Sequence, residues 1–212
     1  MSAKIPWWVK VFWAAWLCSP AALAQYQAER TGAPPSELAP GLAQALEKTG
    51  FRIVRDGSVY CEIWFRSQLP RDFKSSVPNV TLSTIPAGTL VGVIRYEVLG
   101  SDRRGQPIRG GLYTLRYALL PANMAHLGAA PQRDFLLLAP AAEDRDPELT
   151  PSLEALVALS RKASGTPHPA VLSVRKAAPE ATGFSQHGDD WVLESQLGDT
   201  AIALILIGTA GL

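Results

Sequence analysis

From residue 51 onward, apolar and polar positions alternate with a period of two. In SVYCEIWFR, Val59, Cys61, Ile63 and Phe65 fall on one side, and Tyr60, Glu62, Trp64 and Arg66 on the other. That is a strand with one oily face and one amphipathic face. FRIV precedes it across RDGS, and an Asp-Gly pair between two such runs predicts a hairpin turn. Further strands are predicted over 80–83, 89–98, 112–119, 133–138, 170–174, 191–195 and 201–207. In LYTLRYALL, Tyr113, Leu115, Tyr117 and Leu119 point one way, Thr114 and Arg116 the other. AIALILI shows no alternation, which predicts a strand covered on both faces.

Two stretches change to a helical period. GLAQALEKTG (41–50) places Leu42, Ala45 and Leu46 on one face, with Gly50 at the expected C-cap. TPSLEALVALSRKASG (150–165) offers Thr150 as N-cap and Pro151 at the first helical position. Glu154 lies in its first turn, Arg161 and Lys162 near its end, and Gly165 after it. Leu153, Leu156 and Val157 form its apolar stripe. Many short strands without βαβ alternation predict a mainly β fold. The expectation is an antiparallel β-sandwich or jelly roll with one short N-terminal helix and one crossover helix, a single domain over 41–212. Residues 25–40, polar and containing Pro34, Pro35 and Pro40, read as a flexible tether.

The first 24 residues read differently. Lys4 and Lys10 come with no acid, VFWAAWL is a short apolar core, and SPAALA ends in an A-x-A pattern. This predicts a secretory signal peptide cut before Gln25, and export to a periplasmic or extracellular space. The apolar run is too short for a membrane span, and so is AIALILI, so no span is expected after cleavage. Leu17 before Cys18 argues against a lipoprotein. Cleavage removes two of the 20 basic residues, leaving 18 against 19 acids, so no basic surplus points to nucleic acid. It also leaves Cys61 as the one cysteine, without a partner for a disulfide. On the apolar side of its strand, Cys61 reads as a core residue.

Candidate chemistry is sparse. There is no HExxH, CxxC, G-x-S-x-G, P-loop or dinucleotide fingerprint. Asp144, Asp146 and Glu148 alternate as calcium ligands do, but Arg145 intervenes and no glycine supplies the turn, so a solvated loop is the reading. Glu62, Glu97 and Asp134 are available for acid–base work, and no spacing singles them out. His187, in SQHGDD, reads as exposed. The remaining histidines are brought together if strand 112–119 descends, strand 133–138 climbs and the crossover helix descends again. Residues 165–169 then arrive beside the loop after 119, so that His126, His168 and Asp134, with Met124, form a site for Zn, Fe or Cu. Arg95, Arg116 and Arg133 offer a second possibility, an anion-binding surface on the polar strand faces.

GLYTLRYALLP, HLG, RDFLLL, SGTPHPAVLSV, CEIWFR and ALILIG resemble a group of uncharacterised secreted bacterial proteins, over most of 41–212. The G-x-Y-T-L strand more loosely resembles that of other bacterial β-sandwich domains. The resemblance implies a β-sandwich and export, and no activity. Two functions stay open. One is a non-enzymatic binding or accessory protein with no cofactor; the other is a metal-dependent protein or enzyme built on the histidine cluster.

Overall fold

The computed structural model describes residues 26–120 and 133–209. The strands are β1 (Tyr26–Thr31), β2 (Gly50–Arg55), β3 (Ser58–Phe65), β4 (Leu90–Tyr96), the two-residue β5 (Gly100–Ser101) and β6 (Pro107–Ile108), β7 (Gly111–Leu119), β8 (Asp134–Pro140), β9 (Val171–Arg175), β10 (Gly183–His187), β11 (Asp190–Leu197) and β12 (Thr200–Ile207). The helices are α1 (Pro40–Ala45) and α2 (Leu153–Ser164). Apart from the small β5–β6 hairpin, the strands form one sheet in the order β1-β2-β3-β4-β7-β8-β9-β12-β11-β10, antiparallel throughout. The mainly β, antiparallel, two-helix architecture matches the pattern. Where two stacked sheets were expected, a single ten-stranded sheet curls nearly into a barrel.

Closure comes from side chains. β1 and β10 exchange no ladder, but Tyr26 meets Trp191 at 5.5 Å and Trp191 stacks on Phe184 at 5.3 Å. Neither edge strand was expected from the pattern. β1 falls inside the segment 25–40 expected to be a tether, yet it pairs with β2 over its whole length, Tyr26 opposite Arg55 and Thr31 opposite Gly50. Gly50, expected to cap α1, instead opens β2. A Cβ there would lie 2.5 Å from Ile63 O, so the close approach to β3 requires glycine. The Asp-Gly hairpin is as expected, with Asp56 and Gly57 both at positive φ (49° and 81°).

Alternation sorts side chains to two layers. Inward go Ile53, Cys61, Ile63, Phe65, Tyr113, Leu115, Tyr117, Leu136, Leu138, Leu193, Ile202 and Leu204, one continuous apolar core. A register shift after Ile53 lets Tyr60 join them. Outward faces are covered in patches. Leu38, Leu42 and Leu46, on and around α1, lie on Trp64, Leu90 and Val93. Leu156 of α2 lies on Ala118, Phe135, Leu137 and Val171. Ala203 and Ile205 of β12 are buried on the outside as well, as the unalternated run predicted.

Two loops close the ends. Segment 66–89 sends Leu82 and Ile85 into the core at one end, and Ile108 enters at the other. Residues 80–83, expected to be a strand, belong to the first loop. Their amides are taken by a side chain instead of a ladder: Thr81 N and Leu82 N donate to Asp134 Oδ2 at 2.7 and 2.8 Å.

The crossover runs opposite to expectation. After Pro140 the chain itself doubles back along the outer face. Ala141 N bonds Leu112 O, and then Asp146 O and Leu149 O both accept from Arg116. α2 travels the other way. Its N-cap is Ser152 rather than Thr150, its end places Ala163 O on Arg109 N (3.0 Å), and Gly165 closes it in the left-handed region. β9 therefore starts beside the end of β8, Leu138 N donating to Ala170 O at 3.4 Å. Among the described residues no helix is long and apolar enough to cross a membrane.

Candidate functional site

Asp134 is fully buried on the inner face of β8. Its Oδ2 accepts from Thr81 N, Leu82 N and the Tyr117 hydroxyl, the last at 3.0 Å. Burial, with the Asp134 charge added to it, pushes the Tyr117 phenol well above its ordinary value. The carboxylate thus ties a loop to the barrel floor.

His168 is elsewhere. It is exposed, two residues before Ala170, at the other end of β8. Four residues separate Asp134 from Leu138, about 13 Å of strand at about 3.3 Å per residue. His168 also lies with Phe135, on the outer face of β8, so the sheet stands between it and Asp134. The expected shared site of His168 and Asp134 does not form, because the segment after Pro140, not the helix, makes the return journey. Met124 and His126 lie outside the described residues. Among the described residues no group of three or more His, Cys, Asp or Glu is placed to hold a metal.

The three arginines do not line one surface. Arg95 pairs with Glu37 at 2.7 Å, and Arg133 donates to Leu120 O. Arg116, expected on a polar face, is fully buried. Its Nε and Nη2 grip the two oxygens of Asp144 at 2.7 Å each, Nη1 reaches Gly88 O and Leu149 O, and Nη2 also reaches Asp146 O. A guanidinium has five N–H donors, and all five are used. Asp144, with Asp146 beside it, is therefore part of an anchor and not of a calcium loop. Cys61 is completely buried, and burial raises its thiol pKa far above the usual range, so no thiolate is available for chemistry. His187 is exposed as expected, at the β10–β11 turn.

One concave site emerges that the pattern did not single out. Beside α2 is a slot of about 380 Å3 whose walls are carbon from Leu120, Phe135, Leu153, Val157, Pro167 and Val171. Its rim carries Glu154 at one end of the helix and Arg161, with Arg104 and His168, at the other. The helix makes the slot because only Leu156 of its apolar stripe is fully buried. Leu153 and Val157 are half-buried, and their free sides form one wall. The opposite wall is Phe135 and Val171, outer-face positions of the neighbouring strands β8 and β9 that stand diagonally, Val171 opposite Leu137 and Phe135 opposite Ser173. Pro167 and Pro169 hold the chain across the top, where Pro169 O accepts from Arg104 Nη2. A helix stripe broader than its buried part, followed by a proline pair, was the available sequence signal.

Arg104 is committed, since Asp102 Oδ2 holds its guanidinium at 2.7 Å. The Arg161 and His168 side chains make no hydrogen bond or ion pair among the described residues. The arrangement can receive an apolar body in the slot and a polar group at one end. No family model, no curated protein and no solved structure matches the chain.

Proposed function

We propose that the chain is an exported, non-enzymatic binding protein that holds a small apolar ligand in the slot beside α2. The carrying observation is the slot itself: about 380 Å3, within the range of small-molecule sites, walled by carbon on three elements. The buried polar groups elsewhere support a binding role over a catalytic one. Asp134, Arg116, Asp144 and Asp102 are each engaged in holding a loop. Export is supported by the N-terminal 24 residues and by the resemblance to secreted proteins. Amino-terminal sequencing of the envelope fraction should find the chain starting at Gln25.

The binding test uses N-phenyl-1-naphthylamine, an uncharged apolar dye that brightens when it leaves water. The processed chain should take up one equivalent. Val157→Trp, which fills the slot, should remove that uptake while leaving the circular dichroism unchanged. Undiminished uptake by the filled variant, or none by the parent chain, refutes the slot as the binding site.

A further inference from the structure

Building on that reading of the slot, we infer that its natural occupant is a fatty-acid-like anion, one alkyl chain ending in a carboxylate, with the head held by Arg161 and His168. The inference rests on the asymmetry of the rim. Glu154 and Arg161 are seven residues apart on one helix, about 10.5 Å at about 1.5 Å per residue. Basic groups gather at the Arg161 end, and Glu154, the one acid among the described lining residues, stands at the other.

The groups at the basic end differ in commitment, Arg104 being held by Asp102. Other charged side chains of the outer layer and the loops are matched: Arg116 with Asp144, Arg66 with Glu148, Arg103 with Asp190, Lys162 with Glu143. Arg161 and His168 have no such partner among the described residues, although both border an oily recess. A guanidinium presents a planar fork that matches the two oxygens of a carboxylate. Beside it, the imidazole of His168 adds one N–H donor. The α2 carbonyl at this end does not compete for the site, because Arg161 O already accepts from Gly165 N at 2.8 Å. An alkyl chain leaving this head runs along the helix toward Leu153 and Phe135. There it removes its own methylenes and the half-buried Leu153 and Val157 from water.

Both requirements are specific. A cationic head would have one acid, Glu154, on a rim that otherwise carries Arg161, Arg104 and His168. A two-chain lipid exceeds a slot of this volume.

The experiment measures displacement of N-phenyl-1-naphthylamine from the processed full chain by three ten-carbon probes: decanoate, decanol and decyltrimethylammonium. Decanoate should displace the dye at about tenfold lower concentration than decanol, the size expected of a charge-assisted contact at a partly exposed site. Decyltrimethylammonium should be the weakest. Arg161→Gln should bring decanoate to the level of decanol and leave decanol unchanged. His168→Asn should weaken decanoate about threefold. Equal displacement by decanoate and decanol overturns the head-group assignment and leaves the slot standing. A decanoate preference that survives Arg161→Gln also overturns it. Dye uptake with no displacement by any probe rejects the amphiphile while keeping an apolar site. Failure of the dye itself to bind defeats the underlying reading instead. Val157→Trp, or Leu153→Glu should that variant fail to fold, must abolish decanoate binding; retained binding places the ligand elsewhere and ends the proposal.

Discussion

Arg116 and Arg161 belong to neighbouring patches of the same outer layer, and their guanidiniums are used in opposite ways. Arg116 projects from the outer face of β7 and is roofed by the segment after β8. All five of its N–H groups are spent on one carboxylate and three backbone carbonyls. Arg161 projects from the last turn of α2 over a recess the roof does not fill, with no described partner. The two teach that an arginine near candidate chemistry is assigned by what its donors are already doing. A saturated guanidinium is scaffold. An unsaturated one beside buried carbon is free to recognise a ligand.

The strongest way to break this comparison is to remove half of the Arg116 anchor. Arg116→Met leaves Asp144 buried without its counter-charge, and Asp144→Leu does the same to Arg116. Either should cost about 3–5 kcal/mol in urea unfolding. The double variant, which removes both charges, should recover most of that loss. A single variant within about 1 kcal/mol of the parent would show that the anchor is not sealed from water.

Next in size is Asp134, the other buried scaffold group, whose Oδ2 carries all three of its hydrogen bonds while Oδ1 has no partner among the described residues. Asp134→Ala strands two backbone N–H groups and the Tyr117 hydroxyl, and should cost about 3 kcal/mol. Amide exchange reads the cause directly, since Thr81 and Leu82 should lose protection while β7 and β8 keep theirs. Uniform loss across the sheet would mean that the carboxylate supports the barrel and not the loop.

Much of the barrel was legible in the sequence, and its gaps have physical reasons. β3, β7, β8 and β12 have at least one face packed on the core, so their apolar residues repeat with the strand period or run unbroken. β1 (YQAERT) and β10 (GFSQH) are the two edges at the seam. Only Tyr26, Thr31 and Phe184 in them escape full exposure, so burial imposed no alternation for a reader to find. Residues 80–83 have the composition of a strand, but Asp134, more than fifty positions away, takes the amides a ladder would need. The site was less legible for a related reason. Asp134 and His168 both stood out, but whether they meet depends on which segment makes the return after Pro140. The Arg116–Asp144 anchor fixes that direction through contacts 28 to 33 positions apart, which no local periodicity encodes.

The sealed interior itself offers a third, smaller test of how far the scaffold differs from the open slot. Burial pushes the Tyr60 phenol up to about 12 and the Tyr96 hydroxyl well above its ordinary value, while an unfolded tyrosine titrates near 10. A raised acid is protonated in the folded chain when it has already ionised in the unfolded one. Its contribution is therefore whole below pH 10 and is lost as pH climbs through about 12. Stability should fall across that window by about 2–3 kcal/mol on account of Tyr60, and Tyr60→Phe should flatten the slope. A profile flat to pH 12 would mean that water reaches the phenol.

Smallest of all is the expected effect of Arg161→Gln on stability, and for that reason it sharpens the contrast most. The side chain pairs with nothing among the described residues, and losing one exposed cation from the last turn of a helix costs about 0.5 kcal/mol. Urea unfolding of the ligand-free variant should stay within that distance of the parent curve. Adding decanoate should then separate the two, because a ligand that binds only the folded chain raises its midpoint in proportion to affinity. The parent should be stabilised more than the variant at the same concentration. If the ligand-free variant is already weakened by more than about 1 kcal/mol, Arg161 is a second Arg116 and the distinction between anchor and receptor disappears.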